Sequence, residues 1–216
     1  MNLLQFVLDA EEHEALTSRV AGVVVGLVTN NQDPDGMGRV KVKFPWLSDD
    51  DESCWARVVA PMAGKDRGAY FLPEVEDEVL VAFEHGDVRF PYVLGALWNG
   101  KDAPPTNNGD GKNNVRVIKS RSGHIVRLDD TDGAEKIEII DKSGKNSVIV
   151  DASANTIAIK ADGDITLESG QGKIVIKGQS VEMSSTAQDV KIESSANMDV
   201  KAGGQMNVKG SAVNIN

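Results

Sequence analysis

Few side chains in this sequence could carry out covalent or acid–base chemistry, and their spacing does not assemble a catalytic site. Cys54 and His85 could serve as nucleophile and base, but no third residue stands at a recognisable spacing to orient the histidine. Cys54 is flanked by residues with a strand-like pattern, so we expect it to be a buried structural cysteine. We therefore predict no enzymatic activity, no catalytic residue and no cofactor.

Two clusters of acidic residues, at positions 49–52 and 129–133, have the composition of calcium ligands. Neither has the spacing of an EF-hand loop, which ends in a bidentate glutamate. The second cluster ends in Asp-Gly, a dipeptide favoured in tight β-hairpin turns. We therefore predict no metal site, and calcium binding at these clusters is the alternative.

The first half of the chain supplies the elements that must position these side chains. Residues 1–20 place Phe6 and Leu16 among apolar positions at loosely helical spacing, which predicts a short amphipathic helix or arm, or else a frayed terminus. Residues 21–100 contain five or so short strands separated by turn residues, which predicts a small closed barrel. A linker rich in Pro, Asn and Gly follows at residues 101–114.

The distribution of charge argues against one class of partner. Of a formal net charge of −10, residues 1–114 carry −9 and residues 115–216 carry −1. Small barrels often bind oligonucleotides, and Phe44, Trp46 and Trp55 could stack on bases. An acidic surface repels phosphates, however, so we expect no nucleic-acid partner and assign these rings to packing or to a protein contact.

Aromatic residues and prolines stop half-way along the chain, at Trp98 and Pro105. A globular domain as long as the part of the chain after Pro105 normally uses aromatic rings to fill its core. Instead, apolar residues occur in pairs two positions apart. The twelve pairs begin at Val115, Val126, Ile137, Val148, Ile157, Ile165, Ile174, Val181, Val190, Met198, Met206 and Val213. This alternation predicts stacked strands with one face inward, and it argues against a disordered tail.

The spacing of the pairs falls into two regimes. The first pairs recur every 11 residues with Gly123, Gly133 and Gly144 at the turns, which predicts an antiparallel meander. Later pairs recur every 7–9 residues, which leaves room only for a short strand and a corner. One such unit cannot bury its own pair, so either three chains wind together or one chain coils into a short solenoid. Because three chains leave fewer open edges, the trimer is the preferred interpretation.

The trimer interpretation places the later pairs inside a triangular β-prism too narrow for aromatic rings. The predicted trimer core comprises Val148, Val150, Ile157, Ile159, Ile165, Leu167, Ile174, Ile176, Val181, Met183, Val190, Ile192, Met198, Val200, Met206, Val208, Val213 and Ile215.

Six ordered motifs run through residues 20–105. They are Gly38-Arg39-Val40-Lys41-Val42-Lys43-Phe44-Pro45-Trp46, Ser53-Cys54-Trp55-Ala56-Arg57-Val58, Pro73-Glu74-Val75-Glu76-Asp77-Glu78-Val79-Leu80-Val81, Gly86-Asp87, Pro91 and Gly95-Ala96-Leu97-Trp98-Asn99-Gly100. Together they closely resemble the barrel of phage baseplate assembly protein V and of the valine-glycine-repeat (VgrG) proteins of type VI secretion. The C-terminal repeat extends the resemblance.

The resemblance implies an all-β fold, with an OB-fold barrel at residues 21–100 and an intertwined trimeric β-helix at residues 115–216. Such a protein is the central spike of a contractile injection machine. When the sheath contracts, the inner tube advances and the needle breaches the target cell envelope. The barrel is expected to sit on a separate trimeric baseplate hub protein.

The sequence departs from the family pattern at several places. Glu74 and Glu76 stand where many relatives have Arg and Gly. Type VI relatives carry the hub before the barrel, whereas this chain begins about twenty residues before it, so the hub is expected to be another protein. The linker has no room for the lysozyme domain of some relatives. The metal-binding His-x-His apex of some phage spikes is also missing, so we expect a PAAR-type tip protein to contact Val213, Asn214, Ile215 and Asn216.

We therefore predict a non-enzymatic homotrimeric spike in the baseplate of a phage, a tailocin or another injection particle, made in the bacterial cytoplasm. The N-terminus lacks a basic region and no apolar stretch approaches about 18 residues, so we expect neither a signal peptide nor a membrane span. The alternative from another class is a trimeric glycan-binding tail fibre or adhesin, which would display aromatic rings along its shaft.

Overall fold

The structure, a computed structural model, describes residues 19–47 and 52–215. Its described elements are β-strands and one 3-10 turn at Glu84–Gly86, so the all-β prediction is confirmed. Nearly all of the arm predicted for residues 1–20, three of the four acidic residues at 49–52 and the terminal Asn216 lie outside the described residues. In the ranges described, no helix has the length and apolar character needed to cross a membrane. The chain divides into two compact units, the first ending at Asp162 and the second beginning at Gly163.

Seven strands make up the first part of the first unit. They are β1 (Val23–Asn30), β2 (Lys41–Lys43), β3 (Arg57–Val58), β4 (Ala63–Gly64), β5 (Arg67–Gly68), β6 (Glu78–Phe83) and β7 (Pro91–Ala96). Five of them form one sheet in the order β2-β1-β6-β7-β3, and β4 pairs with β5 in a small hairpin. Neighbours in the large sheet are antiparallel except β3 and β7, which are parallel.

Val40 and Ala56 close this sheet into a barrel. Each backbone N–H donates to the carbonyl oxygen of the other residue, with N···O distances of 3.0 and 2.7 Å. These bonds join the chain just before β2 to the chain just before β3, which connects the two edge strands of the sheet. Closure removes open strand edges that could pair with other chains.

The barrel interior is filled by small aliphatic side chains and two phenylalanines. Alternate residues of β6 are buried, as expected for a strand with one face inward. The phenyl rings of Phe44 and Phe83 pack edge to face at a centroid distance of 5.4 Å. The buried core consists of Val28, Val40, Val42, Phe44, Ala56, Val79, Val81, Phe83 and Val93.

A charged cluster fixes the loop between β1 and β2. The Asp33 carboxylate accepts hydrogen bonds from Arg39 Nη2 at 2.6 Å and Nε at 2.9 Å, and from the backbone N–H groups of Asp35 and Met37. The Arg39 guanidinium holds the pKa of Asp33 well below its usual range, chiefly through these side-chain bonds. Arg39 also lies over the Trp55 ring, at 5.7 Å from its centroid.

Five further strands form a second sheet in the first unit. They are β8 (Val115–Lys119), β9 (Ile125–Asp129), β10 (Lys136–Ile140), β11 (Ser147–Asp151) and β12 (Thr156–Lys160). Their order is β12-β11-β10-β9-β8, and every neighbouring pair is antiparallel. The meander predicted from the 11-residue spacing is confirmed.

The second unit, from Gly163, contains no strand in its described residues, and every residue from 163 to 215 is exposed. A sheet made between chains cannot form within one chain. The intertwined trimeric β-helix therefore stays a prediction for this unit.

Glu74 and Glu76, which stand where many proteins of similar sequence have Arg and Gly, both take part in the turn before β6. Glu74 Oε2 pairs with Arg121 Nη1 at 2.8 Å, which links the turn before β6 to the β8–β9 hairpin. Glu76 lies in the left-handed region at φ 77°, in a turn closed by a hydrogen bond from Asp77 N to Glu74 O at 3.1 Å. This turn position favours glycine, because a Cβ is strained there.

Replacing Glu76 with glycine should stabilise the protein. The change relieves the left-handed strain, and the net gain is up to about 1 kcal/mol because glycine also adds entropy to the unfolded chain. Thermal unfolding should show a higher midpoint for Glu76→Gly. Glu76→Ala is the matched control, because it removes the same carboxylate but keeps the Cβ. An equal midpoint for the two variants would show that the backbone is not strained.

Candidate functional site

The reactive side chains do not form a catalytic site in the described structure. Cys54 is exposed, so the expectation of a buried structural cysteine is wrong. It lies between β2 and β3, two residues before the buried Ala56. His85 belongs to the β6–β7 turn and has a left-handed backbone at φ 50°. Among the described residues, no hydrogen bond links the two side chains.

Three of the described residues in the two acidic clusters make local contacts. Glu52 Oε2 pairs with Lys41 Nζ at 3.0 Å. Asp129 accepts hydrogen bonds from the backbone and hydroxyl of Thr131, which lower its pKa. Asp130 pairs with Arg116 at 2.6 Å. The second cluster thus stabilises the β9–β10 turn, and the described residues contain no group of three or more His, Cys, Asp or Glu placed to hold a metal ion.

Residues of the family motifs are spread through the barrel and its turns. Phe44 belongs to the core, and Pro45 and Trp46 follow β2 in a turn. Arg57 in β3 lies over the Tyr92 ring at 5.5 Å. The carbonyl of Pro73 accepts a hydrogen bond from Asn31 Nδ2 at 3.0 Å.

The remaining motif residues shape the β6–β7 turn and the segment after β7. Gly86 and Asp87 end the 3-10 turn, where Asp87 binds Arg89 and has a pKa lowered to about 2 by that contact. Gly95 lies opposite Leu80 in the sheet. Asn99 donates to Glu78 and accepts from two backbone N–H groups just after Gly100.

The main candidate surface is one face of the second sheet. Cross-strand register aligns its aliphatic side chains in two straight rows, because residues directly opposite in an antiparallel pair share a face. We call them the apolar rows; the first comprises Leu128, Ile137, Val150 and Ile157, and the second comprises Val126, Ile139, Val148 and Ile159. Seven of the eight side chains are exposed in the single chain, up to 71% for Ile157.

Strand β8 does not continue the rows as the sequence pattern predicted. Its register places Val117 opposite Arg127, and Ile118 opposite Val126. The pair Val115 and Val117 therefore lies on the other face, and Ile118 extends the second row instead. The β8–β9 connection has five residues, whereas those that follow it have six, six and four. After a connection with an odd number of residues, even-numbered positions of the first strand share a face with even-numbered positions of the next strand. After a connection with an even number, they share a face with odd-numbered positions.

The opposite face of the second sheet carries charged residues. Arg127 on β9 forms an ion pair with Glu138 directly across on β10. Lys136 lies between Asp129 and Asp151 in the register. That face also carries Ile125, Ile140 and Ile149, and it is the less exposed of the two. The apolar rows are exposed in one chain, so theirs is the face left open to a partner.

A second exposed apolar surface was not anticipated from the sequence. A groove of about 400 Å³ lies beside the β4–β5 hairpin. Met37, Val59, Met62, Tyr70 and Phe71 line it, and all five are more than half exposed. In the sequence, only the adjacent aromatic residues Tyr70 and Phe71, between Gly68 and Pro73, point to this groove.

Comparison with known families identifies the barrel. Residues 24–98 match the injector OB domain of type VI secretion systems and phage baseplates. The parallel β3–β7 pairing and the closure at Val40 and Ala56 agree with a five-stranded barrel of this type. Through this domain the chain is similar to VgrG-like proteins.

VgrG-like relatives among characterised proteins match about half of the chain. The type VI secretion system spike protein VgrG1a of Pseudomonas aeruginosa is 32% identical over 143 residues, which are 61% of this chain and 22% of the relative. VgrG2a of the same organism is 35% identical over 117 residues, 50% of this chain and 14% of the relative. VgrG3 of Vibrio cholerae is 30% identical over 122 residues, which are 55% of this chain and 11% of the relative. The matches thus span less than a quarter of these relatives' own length.

Proposed function

We propose that this chain is the central spike of a contractile injection machine. It acts as a homotrimer, with its OB barrels seated on a trimeric baseplate hub and its C-terminal half forming a needle that pierces the target cell envelope. One observation carries the proposal: an injector OB domain is followed by a sheet with two exposed apolar rows. The same apolar pairing then continues along the chain to Ile215.

The apolar rows support association of several copies. Burying one aliphatic side chain contributes about 1.5–3 kcal/mol, so exposure of both rows is strongly unfavourable in water. Exposed apolar side chains also occur on the barrel and along the second unit. A three-fold arrangement lets each sheet supply one wall of a prism and cover the rows of its two neighbours.

The second unit supports the same proposal over the solenoid alternative. A solenoid made by one chain would pair its own successive strands. The described residues from 163 to 215 form no strand, although they contain seven complete apolar pairs. Strand pairing between chains accounts for both facts.

The proposed mechanism is mechanical and involves no covalent chemistry. A narrow prism with an aliphatic interior has no room for hydration along its axis, and hydrogen-bonded sheets resist axial compression. Exposed ion pairs such as Arg116–Asp130 and Lys145–Asp162 keep the rod soluble. The contraction force is concentrated on a small area at the C-terminal end. There we place a PAAR-type tip protein against Val213, Asn214, Ile215 and Asn216.

The direction of the chain through the barrel favours one end for the hub. The chain enters beside the β6–β7 turn, where Val20 N donates to Gly86 O at 3.0 Å. It leaves at the opposite end, where Leu97 N donates to Glu78 O at 2.8 Å. The hub precedes the barrel in type VI proteins that the sequence resembles, so we place the hub at the entry end. Phe90 is an exposed apolar side chain there.

A trimeric fibre or adhesin is less well supported. Carbohydrate-binding shafts present aromatic rings to sugars, and residues 106–216 contain none. The injector OB domain also favours a baseplate position.

The purified protein should be a trimer. Light scattering is expected to give three times the chain mass, independent of concentration over the micromolar range, because the apolar rows have no cover in one chain. A monomeric mass would contradict the proposed spike.

Single aspartate substitutions should separate inward from outward positions in the second unit. Ile174 and Ile176 are assigned inward and Val175 outward, although all three are exposed to similar extents in one chain, at 52%, 67% and 57%. Ile174→Asp or Ile176→Asp should prevent trimer formation, because the trimer would bury three unpaired charges. Val175→Asp should leave the trimer intact in size-exclusion chromatography. An equal effect of all three changes would show that the assignment of inward and outward side chains is wrong. Ile165→Asp and Ile192→Asp should behave like Ile174→Asp.

Binding to the hub protein of the same machine should depend on the entry end of the barrel. Phe90→Asp is expected to weaken hub binding about tenfold or more in a titration, as for an apolar anchor at an interface. Phe71→Asp, at the groove, is the matched control, with 68% exposure against 55% for Phe90. If only Phe71→Asp weakened binding, the hub would bind at the groove instead.

A further inference from the structure

The chain is fixed to the barrel three residues before β1 begins. Val20 N donates to Gly86 O in the β6–β7 turn at 3.0 Å, and the Val20 side chain packs against the barrel core. These two contacts hold residue 20 between the core and the turn. The point from which residues 1–18 leave the barrel is therefore set by the β6–β7 turn.

A glycine at position 86 is needed for this close approach. A Cβ there would lie 3.0 Å from the Arg19 Cβ and 3.0 Å from the Val20 carbonyl oxygen. Both distances are shorter than ordinary van der Waals contact between non-bonded atoms. Gly86 also has a left-handed backbone at φ 79°, which other residues adopt only with strain. Any side chain at this position would therefore push against residues 19 and 20.

The β6–β7 turn is too firmly held to move aside instead. Glu84 N donates to Phe90 O, and Phe90 N donates to Asp87 O, each at 3.0 Å. The Asp87 carboxylate also pairs with Arg89 Nη2 at 2.5 Å. A left-handed backbone persists where surrounding contacts fix it in this way. A substitution at the glycine would thus displace the chain that precedes β1 rather than the turn.

Residues 1–18, which lie outside the described ranges, carry two kinds of side chain in separate blocks. The apolar block comes first and the acidic block follows: Leu3, Leu4, Phe6, Val7 and Leu8, then Asp9, Glu11, Glu12 and Glu14. The protein surface that matches both blocks is an apolar patch with cations along one border.

We propose that Gly86 directs residues 1–18 onto the hub, where they bind an apolar patch bordered by lysine or arginine side chains. This inference rests on the proposed function, which places the hub at the entry end of the barrel, and it names the chemistry of that contact. Gly86 is a positioning residue: it lets the segment start from a fixed point. Fixing one end of a binding segment reduces the entropy that is lost when the segment binds.

Gly86→Ala tests the positioning role in the full-length trimer. The variant should weaken binding to the hub protein about fivefold in a calorimetric titration, because the segment starts from a displaced point. Hydrogen exchange at the Val20 N–H should also be faster. Gly36→Ala is the matched control, because Gly36 has a left-handed backbone at φ 65° but a Cβ there would meet no atom within 4 Å. It should keep wild-type affinity and wild-type exchange at Val20. Equal hub affinities for the two variants would overturn the inference.

A double-mutant cycle separates positioning from a general loss of stability. Phe6→Asp should weaken hub binding about tenfold, as for an apolar anchor at an interface. Phe6→Asp/Gly86→Ala should bind no more weakly than Phe6→Asp alone, because Gly86 acts through the segment that contains Phe6. Additive losses would show that Gly86 supports a contact of the barrel itself, and would overturn its positioning role.

Charge reversal tests the chemistry assigned to the hub surface. Glu11→Lys/Glu12→Lys should weaken hub binding strongly at low salt and less at high salt, since salt screens the lost attraction. Asp102→Lys/Asp110→Lys makes the same change in net charge in the linker and should bind like the wild type. A loss that is equal at both salt concentrations would contradict the cationic border.

The outcomes for the wild type distinguish this inference from the function on which it rests. A wild-type trimer that fails to bind the hub would overturn the proposed function. A wild-type complex with the hub that Phe6→Asp leaves unchanged would overturn the role of residues 1–18 alone.

Discussion

Removal of the apolar rows from water is the requirement on which the rest of the structure depends. The rows are straight because three consecutive hairpins keep the same alternate positions on one face. A single sheet cannot cover its own face, and aliphatic side chains have no polar group that could make exposure favourable. The second sheet therefore needs neighbours, and the apolar pairs of the second unit extend the same need along the chain.

The barrel core, in contrast, is covered within one chain. Val40 and Ala56 close its sheet, and its valine-rich interior is filled without any other element. A self-sufficient barrel suits a docking module, because its surface can be used for contacts without affecting its stability. The chain thus joins a barrel whose core is covered within one chain to a sheet whose apolar rows are exposed in one chain.

Local departures from the family pattern are accommodated at the junction of these two parts. Glu74 bonds to Arg121 on the β8–β9 hairpin and so ties the barrel to the second sheet. Glu76 keeps the left-handed backbone that glycine would adopt more easily. The turn geometry is retained even though the side chains differ, because the hydrogen bonds from Glu76 N to Val28 O and from Asp77 N to Glu74 O define it.

The sequence by itself determined the all-β class, the barrel motifs, the antiparallel meander and the repeat of apolar pairs, because period-two alternation and turn glycines are local signals. Only the tertiary structure decided that Val115 and Val117 lie on the charged face, since strand register depends on the length of the connecting turn. It also decided that Cys54 is exposed and that β3 runs parallel to β7, because both follow from how distant segments close the barrel. The alternation of apolar and polar residues shows which residues share a face of one strand. The pairing of strands decides which of those faces lie together in the sheet.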